Sequence, residues 1–263
     1  MKWLAVFFLP LCLCSGMVAQ SSEKQAPQKS PPPSEIPQVI IKPQPEVSLR
    51  VASAKTAWTF PYDGTGIEIF IVVENAGDRP IRAFATRRDN VGVAGRTTCF
   101  LNNLSLGKIL RRGQTDGKST FQHYSPAAPA PTIWVDFVEF TDNSTWGADE
   151  CHCADRLAGE RAGARAIKDL MLKLLADGGP ESVLKLLRDY DEKIKAARES
   201  GNPVAEEQIR LVESPSGHSI VFDEGFRFGA SSMIGRVVTA NQEWGSSEIE
   251  AALRRPYDAS EIK

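Results

Sequence analysis

The sequence has no excess of basic charge: 31 Lys and Arg stand against 33 Asp and Glu, a formal net charge of −2. That balance, without any basic stripe, argues against a nucleic-acid binder, and no long run of one sign marks an interaction tail. After Ala19 no apolar run reaches the roughly 18 residues of a transmembrane helix, so a mature chain beginning there is expected not to span a membrane. Histidine is scarce, three in 263 residues. There is no Cys-x-x-Cys, phosphate loop, dinucleotide fingerprint or metalloprotease helix, and no Gly-x-Ser-x-Gly nucleophile elbow. These absences remove the common metal, nucleotide and hydrolase signatures. No cofactor, metal site or catalytic set is expected.

What is present begins with a leader. Lys2, the apolar run Trp3–Leu13 and the small residue Ala19 before polar Gln20 read as a signal peptide over residues 1–19. The reading places the protein outside the cytoplasm, periplasmic or extracellular. Cys12 and Cys14 each follow Leu, whereas a lipoprotein signal wants a small residue there. Residues 20–45 carry seven prolines among Ser, Gln and Lys, the composition of an extended, disordered linker.

Residues 46–153 are β-rich. Gly66–Ala85 organises them: Ile67, Ile69, Ile71 and Val73 alternate with Glu68, Phe70, Val72 and Glu74, the period of a strand with one buried face. Asn75-Ala-Gly-Asp78 supplies turn chemistry and Pro80 opens a return strand, Ile81–Thr86, so the stretch reads as two strands joined by a tight turn. Further strands are expected at Val47–Val51, Thr97–Asn102, Leu104–Leu110, Ser119–Tyr124 and Thr132–Thr141, with a turn at Asp142-Asn143 leading back through Ser144–Gly147. Asp136 and Glu139, three apart on one strand, are expected on opposite faces. About seven short strands at this spacing suggest two packed antiparallel sheets.

The pattern VVENAGDRPIRAF, the ILRRGQ turn and VDFVEFTDNSTWG resembles secreted bacterial proteins with an immunoglobulin-like β-sandwich and no assigned activity. The resemblance covers about Glu46–Asp149 and implies a fold without transferring any catalytic residue. Where those proteins have Asp-Gly in the hairpin turn, this chain has Asp142-Asn143, and Asn tolerates the left-handed conformation.

Residues 154–263 are helical in pattern. Ile167, Leu170, Met171, Leu174 and Leu175 form an amphipathic stripe, Gly178-Gly179 ends it, and Pro180 opens a second helix. A shift of 66 residues superimposes seven identities across the thirty positions Gly159–Arg188, among them Gly159 on Gly225, Gly163 on Gly229 and Gly179 on Gly245. This predicts an internal repeat of two related helical hairpins. Gly159, Gly163, Gly225 and Gly229 become candidate helix-packing positions. The expected fold class is therefore α+β, a sandwich followed by a helical bundle.

The most reactive-looking segment is Cys151-His152-Cys153. With Cys99 it leaves three cysteines after the leader, and in an exported chain the expectation is a disulfide from Cys99 to Cys151 or to Cys153. Zinc held by Cys99, Cys151, Cys153 and His123 is the alternative, although the spacing is unusual. His218 lies in a loop with Ser214 and Ser216, where a Ser/His pairing would need a third member. Taken together, the sequence predicts a non-catalytic binding or interaction protein of the cell envelope. A hydrolase, thiol enzyme or metal-binding protein using the Cys151-His152-Cys153 segment and a purely structural envelope component are the rivals, and the partner itself is not legible.

Overall fold

The computed structural model describes residues 38–59, 66–91, 96–104, 109–123, 129–201 and 209–257. Residues 1–19, expected to be a signal peptide, and the proline-rich stretch up to residue 37 lie outside them. Among the described residues the chain is α+β. The strands are β1 (Ile40–Ile41), β2 (Leu49–Thr59), β3 (Gly66–Asn75), β4 (Ile81–Val91), β5 (Arg96–Asn103), β6 (Thr115–His123), β7 (Thr132–Phe140) and β8 (Thr145–Trp146). One sheet has the order β1-β7-β4-β5, with β8 also beside β7, and the other has the order β2-β3-β6.

The two sheets share one hydrophobic core. Ile67, Ile69, Ile71 and Val73 of β3, all buried, meet Ile81 and Phe84 of β4 and Ile133, Val135, Val138 and Phe140 of β7. The strict alternation of β3 drives this, since every second side chain leaves water together.

Four expectations are corrected here. First, β3 and β4 are not a hairpin: they lie in different sheets, and the chain crosses the core between them. Buried Asn75 makes the crossing possible. Its side-chain amide donates to the carbonyls of Arg79 at 2.9 Å and Leu110 at 2.8 Å, and its oxygen accepts from Gly77 N–H at 3.0 Å. Backbone groups that a sheet would have satisfied are satisfied there by one side chain.

Second, Ile40 and Ile41, assigned by composition to the linker, form β1 parallel to β7. Gln44 extends that contact by bonding both the N–H and the C=O of Val135, at 2.7 and 2.8 Å. Third, Leu104–Leu110 is not a strand over its described residues: Leu110 makes a single antiparallel bridge to Ile81. Fourth, Asp136 and Glu139 share the outer face of their sheet. A β-bulge at Asp136 sets Ala85 opposite Phe137 and Thr86 opposite Val135, so the alternation slips by one. A matching slip at Arg82 turns both Arg82 and Ala83 outward.

The helical part comprises α1 (Cys153–Glu199), α2 (Ile220–Trp244) and, after a 3₁₀ turn at Ser246–Glu248, α3 (Ile249–Arg254). Ser219 caps α2, its hydroxyl accepting from Phe222 N–H at 3.1 Å. Gly179, with φ +69° and ψ −172°, interrupts α1, and Gly245, with φ 92° and ψ 173°, ends α2. These two glycines are 66 residues apart and hold closely similar conformations that only glycine adopts readily.

The first half of α1 packs on α2 through backbone rather than side chains. A Cβ on Gly159 or Gly163 would strike the carbonyl oxygens of Phe222 or Phe226, and one on Gly225 or Gly229 would strike those of Arg156 or Glu160. The same shift that exchanges the glycines exchanges their targets. Around this contact Ala164, Ile167, Met171, Val183 and Leu187 meet Ala230, Met233, Val237, Ile249 and Leu253 in one core.

Candidate functional site

The outer face of the β4-β5-β7 sheet receives the start of α1. Ala83, Ala85 and Phe137 pack there against Cys153 and Leu157. The two alanines leave room for a helix to come close, and bulky residues in their place would hold it off. Three polar devices fasten the junction.

The first is the cysteine segment. The Sγ atoms of Cys99 on β5 and Cys151 lie at disulfide distance, with their Cα atoms 6.3 Å apart and a sequence separation of 52. Of the two pairings open from the sequence, the structure brings Cys99 to Cys151. Cys153 is a free thiol, buried to 3% exposure under the sheet. Burial, with the charges of Asp149 and Asp136 adding to it, pushes that thiol up to about 12. At neutral pH it is protonated and shielded, the opposite of a reactive thiolate. His152, between them, is exposed with a left-handed backbone at φ 52°. Cys151 and Cys153 thus both meet the cluster of Ala83, Ala85 and Phe137, while His152 is turned to solvent.

The second device is Asp149, which opens α1. Its carboxylate accepts from Cys153 N–H at 2.6 Å and from Ala154 N–H at 3.1 Å, filling donors that the helix start leaves unpaired. Asp136, displaced outward by its bulge, accepts from Cys151 N–H at 3.3 Å. Cys99, Asp136 and Cys151 bring ligand-type atoms within 4.8 Å of one another. Pairing of the two sulfurs withdraws them from metal ligation, and a lone carboxylate does not hold an ion there.

The third device is Glu139, between two arginines. Arg82 Nη2 reaches its Oε1 at 2.7 Å, and Arg161 of α1 grips both carboxylate oxygens, at 2.9 and 2.7 Å. Arg82 also donates to Asn143 in the β7-β8 turn at 2.7 Å. Burial alone would raise the Glu139 pKa, but hydrogen bonds from Arg161 and Arg82 and their charges hold it below the usual carboxylate value. Asp142, in the same turn, is held well below the usual carboxylate range by hydrogen bonds from Ser144 and Arg79.

A different kind of place lies between the sheets, on their open flank. There β5 and β6 are edge strands, and their inward positions are polar. Asp116, Lys118 and Thr120 of β6 pair with inward-facing Val73, Ile71 and Ile69. A cavity of about 230 Å³ opens there, floored by Ile71, Val73 and Phe84. At its inner end sits Arg88, 1% exposed. Its guanidinium donates to the Thr120 hydroxyl and lies 4.0 Å over the Phe100 ring, while its Nε meets no acceptor. Among the described residues no carboxylate pairs with it. Burial lowers its pKa to about 10, so it keeps its charge at neutral pH.

Sequence reasoning did not single out Arg88. The signal was present in β4, where Phe84, Thr86 and Arg88 continue one inward parity, and in β6, where three inward positions in a row are polar. The remaining histidine loop does not assemble chemistry: the Ser214 hydroxyl bonds to Asp223, and His218 stacks on Phe222 with ring centroids 3.9 Å apart. No helix among the described residues is long and apolar enough to cross a membrane.

No family model matches the chain, and no curated protein does. Among solved structures, a hypothetical protein of Peptoclostridium difficile 630 shares 8% identity over 41% of this chain and 90% of its own, with a TM-score of 0.29. A Northeast Structural Genomics Consortium target shares 12% over 38% of this chain and 78% of its own, with a TM-score of 0.27. Scores this low establish neither a shared fold nor a shared function.

Proposed function

We propose that the chain is an exported, non-catalytic binding or interaction protein of the cell envelope. Its β-rich part is read as an immunoglobulin-like sandwich and its helical part as two related hairpins that support it. The observation that carries this reading is the use made of Cys151-His152-Cys153. The one segment with the look of chemistry is committed to architecture: Cys151 reaches Cys99, and Cys153 lies under the sheet as a protonated thiol. A disulfide there suits an oxidising compartment, in agreement with the leader over residues 1–19. Two sheets sharing one core, with a crossing between them at Asn75, favour the sandwich. The shared conformation of Gly179 and Gly245 favours the paired hairpins.

Amino-terminal sequencing of exported protein tests the placement and should begin near Gln20. Intact Met1 on membrane-bound material, or a lipid on Cys12 or Cys14, would contradict it. Cross-linking in the native envelope tests the binding role and should give a saturable partner. A chain that is retained with no saturable partner would be a structural component instead.

A further inference from the structure

We infer that the cavity on the open flank of the two sheets binds a small monocarboxylate with an apolar body, its carboxylate held by Arg88. The inference deepens the binding role proposed above by naming a ligand class, and it does not depend on export.

The argument starts from an imbalance. A guanidinium removed from water needs a compensating anion, because its own desolvation is among the most unfavourable events in folding. Arg88 is 1% exposed, yet among the described residues its partners are one neutral hydroxyl and one aromatic face. Elsewhere this chain handles the same problem differently: buried Arg82 and half-buried Arg161 both close on Glu139. Asp116 lines the cavity and is the obvious internal partner. It stands four residues along β6 from Thr120, however, which is about 13 Å of strand. Its own Oδ2 is buried without a partner as well. The two charges occupy separate ends of one space, and Lys118 between them adds positive charge on the same wall.

The shape and lining then narrow the ligand. A cavity of about 150 Å³ is enough to hold benzene, so about 230 Å³ accommodates a body of that size together with a carboxylate. Ile71, Val73, Phe84 and Phe100 supply apolar walls. The planar fork of Arg88 matches a carboxylate in two parallel bonds, and its free Nε–H is one of the donors such a pairing uses. A few polar groups placed in a mostly apolar recess is the usual composition of a small-molecule site.

The test uses benzoate and hexanoate as probes, with benzyl alcohol and hexanol as their neutral counterparts, titrated calorimetrically into the full-length protein. The carboxylates should bind saturably and at least tenfold more tightly than the alcohols. Arg88→Met, which keeps the bulk and removes the charge, should erase that preference, and Arg88→Lys should recover only part of it. Should Arg88→Met fail to fold, the unmodified protein still decides. Its Arg88 Nε–H resonance should move on saturation with benzoate, and the Lys118 side-chain signals should move with it. Equal affinity for acids and alcohols, no saturable binding by any probe, or an Arg88 resonance indifferent to benzoate would overturn the proposal. None of those results would touch the amino terminus or the cross-linked partner, so failure of the site and failure of the wider reading are told apart.

Discussion

Gly163 of α1 lies so close to the backbone carbonyl of Phe226 on α2 that no side chain fits between them, and Gly229, 66 residues on, lies the same way against Glu160. The helical region is thus fastened by a pair of reciprocal backbone contacts. Close approach of this kind places Ala164 and Ala230, Ile167 and Met233, and Met171 and Val237 in one core around the glycine contact.

Replacing either glycine with Leu should therefore cost more than helix propensity would suggest. Overpacking adds about 1–3 kcal/mol, while Leu is itself a better helix former than Gly. Urea unfolding of Gly163→Leu and Gly229→Leu should show both well below the parent. Gly235 is the control: it is exposed on α2 with nothing near its missing Cβ. Gly235→Ala should gain up to about 1 kcal/mol.

Glu139 ties α1 to the sheet, and its removal should expose that. Glu139→Gln leaves buried Arg82 without its counter-charge and breaks the two-oxygen grip of Arg161, a loss on the order of 3–5 kcal/mol. The pH dependence has a definite sign. The carboxyl pKa is lowered in the fold, so its stabilisation is full above the unfolded value of about 4.3 and is lost as pH falls through the folded value. Acid titration of stability should be less steep in Glu139→Gln than in the parent.

Arg88 gives the opposite expectation. With no ligand present, Arg88→Met should raise the stability to unfolding by on the order of 1 kcal/mol, because an uncompensated buried charge is exchanged for apolar bulk. A site that trades stability for binding behaves this way. Thermal unfolding of the two proteins in ligand-free buffer makes the comparison.

Reduction of the Cys99–Cys151 pair should loosen the β-rich part. With a sequence separation of 52 between the two cysteines, the chain-entropy relation gives about 4 kcal/mol. Unfolding with and without a reductant checks this.

The parts of this architecture that were legible in the sequence share one property: they depend on local repetition. The helix over Phe222–Thr239 could be read because Phe222, Phe226, Gly229, Met233 and Val237 recur at helical spacing, and all five are buried in α2. The buried face of β3 was legible in its alternating Ile and Val. What was not legible is decided across the chain. Nothing local to Asn75–Pro80 says that β4 joins the other sheet, because a turn and a crossing use the same residues. The bulges at Asp136 and Arg82 are single-residue slips set by the partner strand, and they alone bring Asp136, Glu139 and Arg82 to the outer face. Ile40 and Ile41 were masked by surrounding prolines, although β1 needs only two residues. Arg88 was overlooked because its burial follows from β5 and β6 closing around it, which no stretch of β4 encodes.

The central claim is that Cys151-His152-Cys153 serves architecture and not chemistry. It is tested most directly by non-reducing peptide mapping of native protein pulse-labelled with iodoacetamide. The account predicts a Cys99–Cys151 cross-link with Cys153 unlabelled until the protein is denatured, as a buried thiol pushed up to about 12 requires. Rapid labelling of Cys153 in the folded protein, or three free thiols in material from an oxidising compartment, would contradict it.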